Sequence, residues 1–333
     1  VQLNLRYDMN RPEFGASHPA LYRTAIDQAV WADKLGFTQV FLAEHHGAEG
    51  GYCPSSMIQA ASILGATQNI VAHLSALVVT MHDPLRLAED LAVLDNIAPG
   101  RIWFTAGMGY RPHEFEMFGR DPTKKLRIMN ETMAALKSAW SGEPFEYLGR
   151  TVRVTPTPAT PGGPKIYMGG STDKSAIRAG KAGYQYYPGH PDLFEIYKAE
   201  RAQAGFPPPE QLREPAASFL YVSDDPERDW PILAPHIAYA TNTYAEWAKE
   251  RGVGNTRYKV AETVEALKAM PNIKVIAPDD CFAYLKGLGA GTSVTFHALF
   301  GGIDPDVSWR SLRLFEKDVL PRLEAEGLIE KPV

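Results

Sequence analysis

Leu35-Gly36-Phe37-Thr38-Gln39-Val40-Phe41-Leu42-Ala43-Glu44-His45-His46 holds a helix end, a turn, a strand and a polar tripeptide in one short run. Gln39-Val40-Phe41-Leu42 is a compact apolar segment of buried-strand type. Upstream, Leu21, Ala25, Ala29 and Ala32 recur at helical spacing over residues 19–35, and Gly36 stops that helix. Glu44-His45-His46 therefore falls at the C-terminal end of a strand. These residues are a poor choice for packing and a good one for chemistry, and in a βα-repeat protein that end carries the catalytic face. Successive strand residues point to opposite sides, so both histidines line one pocket only if the chain bends there. One is a candidate acid/base or ligand-contacting group and the other its support; two hydrogen-bonded loop histidines are the plain alternative.

The alternation continues along the chain. Leu3-Asn4-Leu5-Arg6-Tyr7 alternates apolar and polar residues as a strand does. Ser55 and Ser56 can cap a helix over 56–67, and 73–79 reads as a strand. Asp83-Pro84 supplies a cap and a first-turn proline for a helix ending near Pro99-Gly100. Strands follow at 102–106, 165–168, 185–187, 217–222 and 293–297, and helices at 125–140, 173–182, 193–204 and 309–326. That is about eight strand–helix units without a composition break or a tandem repeat. The expected fold class is α/β, a TIM (β/α)8 barrel with insertions, as a single domain over 1–333. Residues 143–164, rich in Pro, Gly and Thr, and residues 236–278 are the expected insertions. Residues 239–258 fit no element and read as a mobile lid.

With 45% hydrophobic and 22% charged residues, the composition is that of a globular protein. The formal net charge of -5 argues against broad binding to nucleic acid or anionic membrane. Cys53 and Cys281 lie far apart with no CxxC pair, so small buried hydrophobes are expected rather than a disulfide framework. There is no signal-peptide pattern at the start and no bilayer-length apolar run, which gives a cytoplasmic expectation.

Met168-Gly169-Gly170-Ser171-Thr172-Asp173-Lys174-Ser175 is a strand ending in two glycines and a hydroxyl-rich helix start. Glycines let a ligand approach the backbone, and a helix N-terminus favours an anion. Gly170, Ser171, Thr172 and Ser175 are thus candidates to cradle a monophosphate; an ordinary Ser/Thr helix cap is the alternative. Gly107-Met108-Gly109-Tyr110-Arg111-Pro112 lacks the third glycine of a dinucleotide loop but suggests a flat ligand close to this strand end. His45 and His46 lack the spacing of a helical metal pair, so no metal is expected, although His82, His113 and His297 are available to converge on them. No Walker A sequence or Gly-x-Ser-x-Gly elbow occurs.

These residues, taken in order, resemble the bacterial luciferase-like monooxygenase family over most of the chain. The markers are the opening stretch, Pro84-Leu85-Arg86-Leu87-Ala88-Glu89-Asp90 with Leu94-Asp95, Pro99-Gly100-Arg101, the Gly107 to Pro112 turn with Glu114-Phe115-Glu116-Met117-Phe118-Gly119, and Lys165-Ile166-Tyr167-Met168-Gly169-Gly170-Ser171. The resemblance implies a TIM-type barrel, a homodimer, and reduced FMN, or the deazaflavin F420 in one branch, at the strand C-terminal ends. It implies His45 beside the flavin, with Glu44 and His46 completing the catalytic group. It also implies a cis peptide at Ser75-Ala76 beneath the ring, flavin contacts from Gly107 and Met108, and phosphate contacts from Gly170, Ser171, Thr172 and Ser175. Gly107 and Met108 replace the reactive cysteine and phosphate-binding arginine of luciferase itself, which argues against light emission and leaves Arg127, Lys124 or Lys125 to meet the phosphate. The activity so implied is oxygenation of a small organic substrate by O2 through a flavin C4a-peroxide, with a separate reductase supplying reduced FMN. The alternatives are F420-dependent hydride transfer and a non-catalytic flavin-binding partner subunit.

Overall fold

The computed structural model describes residues 1–210, 213–250, 260–261, 263–289 and 291–331. Strands β1 (Gln2–Tyr7), β2 (Gln39–Leu42), β3 (Val71–Val78), β4 (Ile102–Gly107), β5 (Lys165–Gly170), β6 (Gln185–Pro188), β7 (Phe219–Val222) and β8 (Thr292–Phe296) alternate with helices. The helices are α1 (His18–Lys34), α2 (Ser56–Ala66), α3 (Pro84–Ile97), α4 (Pro112–Met117), α5 (Lys125–Ala139), α6 (Asp173–Ala182), α7 (Asp192–Gln203), α8 (Pro226–Glu250), α9 (Val264–Lys268), α10 (Pro278–Leu288), α11 (Pro305–Leu314) and α12 (Leu320–Ala325). Hydrogen-bonded neighbours run β6-β5-β4-β3-β2-β1-β8, all parallel, in a curled sheet of the α/β TIM-barrel class.

The helix boundaries follow local chemistry. Asp83 caps α3 by accepting from the amides of Leu85 and Arg86, and Gly36 leaves α1 at a φ of 79°, where a Cβ is disfavoured. Ser55 precedes α2 but makes no side-chain cap, and the Ser56 hydroxyl is directed to Glu44 instead. The closing helical segment starts at Pro305 behind the Asp304 cap, earlier than the periodicity suggests. It is broken by a π-turn, Phe315–Val319. Pro321 lacks the N–H that would continue the α-helical ladder there.

Two further expectations are modified. β7 packs beside β8, yet its ladder is made with Ile273–Ile276, from within the expected second insertion. Phe219 and Tyr221 join Trp230, Ile237, Ile273 and Val275 in a separate core, which explains that pairing. Residues 239–250 continue α8, and residues 251–258 of the expected lid lie outside the described residues. Residues 143–164 contain an antiparallel hairpin, Phe145–Tyr147 with Arg150–Val152. Cys53 and Cys281 are buried and unpaired with each other. No helix among the described residues is long and apolar enough to cross a membrane.

The loops entering β3 and β4 are held by buried charges. Asp33 accepts from the amides of Gln68, Asn69 and Ile70 at 2.8, 2.8 and 2.6 Å. Arg101 donates to the carbonyls of Leu64, Thr67 and Ile70, and Asp95 accepts from the amides of Gly100 and Thr160. Removing such an acceptor strands several donors away from water. Asp33→Ala is expected to lower the unfolding free energy by about 3 kcal/mol. The check is a urea titration: the midpoint falls with the slope unchanged, and an unaltered midpoint would refute the anchoring role.

Candidate active site

The chain bends after β2, and the bend separates the two imidazoles. The Ala43 amide donates to the Tyr7 carbonyl and the His45 amide to that of Cys53. Gly47 then turns the chain at a φ of 61°, where an added Cβ would stand 2.6 Å from His113 Nε2. His46 is buried; its Nε2 donates to Glu44 Oε1 at 3.2 Å and its ring meets Phe118 edge-on at 4.7 Å. His45 Nδ1 lies 2.8 Å from Glu114 Oε1. Because a carboxylate accepts, that nitrogen carries a proton, and in the neutral ring Nε2 is the acceptor, 3.4 Å from the Tyr110 hydroxyl. The His46 amide donates to the same Glu114 oxygen at 3.1 Å. Glu114 is fully buried, and among the described residues no hydrogen bond satisfies its Oε2.

Around His45 stand Tyr52, Tyr110 and Trp247, with ring centroids 4.9, 5.4 and 4.7 Å away. The Arg111 guanidinium lies 4.2 Å from the Trp247 ring centroid and 4.0 Å from Glu114 Oε1. Tyr52 and Tyr244 share a hydroxyl–hydroxyl bond of 2.8 Å, and Tyr244 lies 3.5 Å from Asp8. His297 Nε2 is 3.2 Å from Asp8, and burial pushes the His297 imidazole below its ordinary value.

The other sequence candidates divide into two groups. The Ser75-Ala76 peptide is cis, and Gly107 faces it across β3 and β4: a Cβ on Gly107 would stand 3.0 Å from that of Ala76. The Met108 carbonyl accepts from Thr80 at 3.1 Å, and its side chain packs on the main core. Ahead of α6, Ser171 and Thr172 are exposed. Thr172 and Ser175 form a reciprocal capping box, and the buried Ser175 hydroxyl also meets Tyr186 at 3.0 Å. A Cβ on Gly170 would overlap the Ser175 side chain. Lys124 and Arg127 line a cleft of about 650 Å³ with His82, Arg120 and Tyr147. His82 joins Glu44, while His113 and His297 do not; among the described residues no three His, Cys, Asp or Glu side chains are placed to hold a metal ion.

Sequence reasoning quoted Glu114 and Arg111 without assigning them a role, and it missed Trp247. Glu114 lies in α4, a short helix after the Gly107 turn, which brings it back under β2. A carboxylate just inside a proline-started helix beside a glycine turn was the available signal. Trp247 belongs to the stretch that fitted no element, so nothing local pointed to it.

Burial by itself pushes the Glu44 carboxyl up, but hydrogen bonds from His46 and His82, and the attraction of those rings, outweigh it and hold the group at about 2. Ser56 satisfies the second oxygen at 3.0 Å. A folded-state value below the ordinary 4.5 means that the stabilisation is complete above that pH and drains away as pH falls toward 2. It amounts to on the order of 3 kcal/mol. Glu44→Gln is expected to flatten the pH dependence of stability across that acid window, whatever it does to stability at neutral pH. Chemical denaturation at several acid pH values is the measurement, and an unchanged slope would remove Glu44 as its source.

The profile of the Luciferase-like monooxygenase family matches residues 9–283. An alkanal monooxygenase alpha chain from the Kryptophanaron alfredi symbiont is 28% identical over 142 residues, 41% of this chain and 40% of that one. An F420-dependent glucose-6-phosphate dehydrogenase from Nocardia farcinica is 26% identical across 97% of this chain and 98% of its own. The FMN complex of the oxygenating constituent of 3,6-diketocamphane monooxygenase from Pseudomonas putida superposes with a TM-score of 0.75. It is 21% identical and covers 97% of this chain and 98% of its own, a likeness of fold. The chain spans half or less of the length of the first curated relatives it matches. With a profile match over most of its length and a barrel of the same fold, the chain belongs to the luciferase-like monooxygenase family.

Proposed function

We propose that this enzyme is a two-component monooxygenase using reduced FMN and O2 on a small organic substrate, with a separate reductase supplying the flavin. The observation that carries the reading is the Glu114–His45 pair at the barrel mouth, whose 2.8 Å bond leaves His45 Nε2 as a basic atom facing Tyr110. The residues fit a flavin: Ala76 and Gly107 offer nothing larger than a methyl between β3 and β4, so a flat ring can lie against backbone. Ser171 and Thr172 stand ahead of α6, whose N-terminus suits a phosphate. When bound, reduced FMN supplies the electrons that activate oxygen. The protein's own part is to orient and shield. Glu114 fixes the His45 tautomer, and Nε2 then takes or returns a proton. Tyr52, Tyr110 and Trp247 exclude water. Glu44 and His46 hold the bend.

The full-length match to an F420-dependent relative favours hydride transfer to or from F420 as the second reading. Reconstitution with each reduced cofactor, with oxygen uptake recorded, separates the two. Exposed Ile58 on α2 and exposed Val93 and Ile97 on α3 support a homodimer.

His45→Ala is expected to lower kcat about 100-fold or more while the FMN Kd changes by no more than about threefold. Equal turnover in the two proteins would remove His45 from the mechanism. Ser171→Asp, which adds a like charge beside the proposed phosphate, is expected to weaken FMN binding about tenfold with little change in Tm. Unchanged binding in a fluorescence titration would place the phosphate elsewhere.

A further inference from the structure

We infer that a groove between α5 and α6 binds an extended polyanion, a chain bearing several phosphate or carboxylate groups, held by Lys174, Arg178 and Lys181. The site is separate from the proposed flavin cradle and does not depend on it. The groove has a volume of about 540 Å³ and is lined by Asn130 of α5 and by Lys174, Ile177, Arg178, Lys181 and Ala182 of α6. It carries three cations and, among the described residues, no carboxylate, on a chain whose formal net charge is -5. The cleft on the other flank of α5 differs in kind, because Asp121, Glu131 and Glu146 offset its Arg120, Lys124 and Arg127. A groove of one sign on a chain of the other sign concentrates anions locally.

Two of the three cations are uncommitted. Among the described residues Lys174 and Arg178 form no ion pair, and the Arg178 Nε–H, shielded from water, finds no acceptor. A shielded donor without a partner is the mark of an absent ion, ligand or water. Lys181 stands 3.7 Å from Glu200, an exposed pairing that contributes little. By contrast Arg201, on the neighbouring α7, is spent on the carbonyls of Gly183, Tyr184 and Pro207. The arrangement works against the helix itself. Lys174 and Arg178 are a like-charge pair four residues apart, and Lys174 lies in the first turn, where the helix dipole disfavours a cation. Asp173, the acid of that turn, does not line the groove. An anion laid there reverses both effects. Spacing sets its class: Lys174, Arg178 and Lys181 share one face at i, i+4 and i+7 and span about 10 Å along the helix axis. A single phosphate is too short to bridge that length, and a polyphosphate or polycarboxylate chain is not. The guanidinium suits two-point capture of an oxyanion, the lysines give point contacts on either side, and the Asn130 amide adds a donor from α5.

The test is calorimetric titration of tripolyphosphate, tetraglutamate and orthophosphate into the purified chain at one fixed ionic strength. A polyanion is expected to bind about tenfold or more tightly than orthophosphate. Tighter tripolyphosphate identifies a phosphate chain as the natural group, and tighter tetraglutamate a polycarboxylate. Arg178→Glu is expected to weaken that binding about tenfold or more, whereas Lys317→Glu, the same charge change at an exposed lysine outside the groove, leaves it within about twofold. Lys174→Gln combined with Lys181→Gln gives the same reading if the Arg178→Glu protein does not fold. Absence of any preference over orthophosphate, or equal losses in the Arg178→Glu and Lys317→Glu proteins, overturns the inference. So does displacement of the bound chain by saturating FMN, which would place it on the Ser171-Thr172 cradle instead. Failure of FMN to bind touches the flavin reading alone.

Discussion

A buried carboxylate, Glu114, is the constraint on which the site depends. One of its oxygens accepts from the His45 ring and from the His46 backbone amide, so a single atom sets both the tautomer of one residue and the path of the chain at the next. Two donors on one oxygen, in a fully buried side chain, leave little freedom for either. The bend resolves a geometric conflict in the primary structure. An extended strand would send one imidazole inward and the other outward. Here the outward route is closed too, because His46 is drawn to a second buried carboxylate, Glu44. Each histidine thus has its own acid, and the two acids differ in purpose. Glu44 is saturated by Ser56, His46 and His82, whereas Glu114 has one oxygen without a hydrogen bond among the described residues.

The fold was legible because its signals are local. Gly36, Asp83-Pro84 and the apolar run at β2 mark boundaries through backbone conformation, capping and burial, all of which act within a few residues. β7 was legible as a strand but not in its partner, since pairing with Ile273–Ile276 is decided by a distant hydrophobic cluster. At the site, His45 was legible from its place at a strand end. Glu114 and Trp247 were not, because their meaning comes from contact across 69 residues in one case and from a helix that local patterning did not reveal in the other. The Ser/Thr segment before α6 is both a helix cap and an exposed hydroxyl pair, so its two sequence readings are not exclusive: Ser175 is spent internally, and Ser171 and Thr172 remain at the surface.

The charged residues of the sequence markers serve opposite ends of the barrel. Asp33, Asp95 and Arg101 bind backbone groups at loops leading into β3 and β4. Glu44, Glu114 and Arg111 sit where β2 and β4 end. In a parallel barrel these are different faces, and the division follows from chain direction: each strand enters from the stabilising face and leaves at the reactive one. Loops on the first face can be pinned by several hydrogen bonds without consequence for chemistry. Those on the second must leave room for a ligand, so their polar groups are held by one another and by aromatic neighbours. That is why the arginine at the first face is spent on carbonyls while the arginine at the second lies on an indole. Placing a guanidinium on a ring face keeps the charge close to Glu114, while the tyrosine hydroxyls bond to one another and to His45.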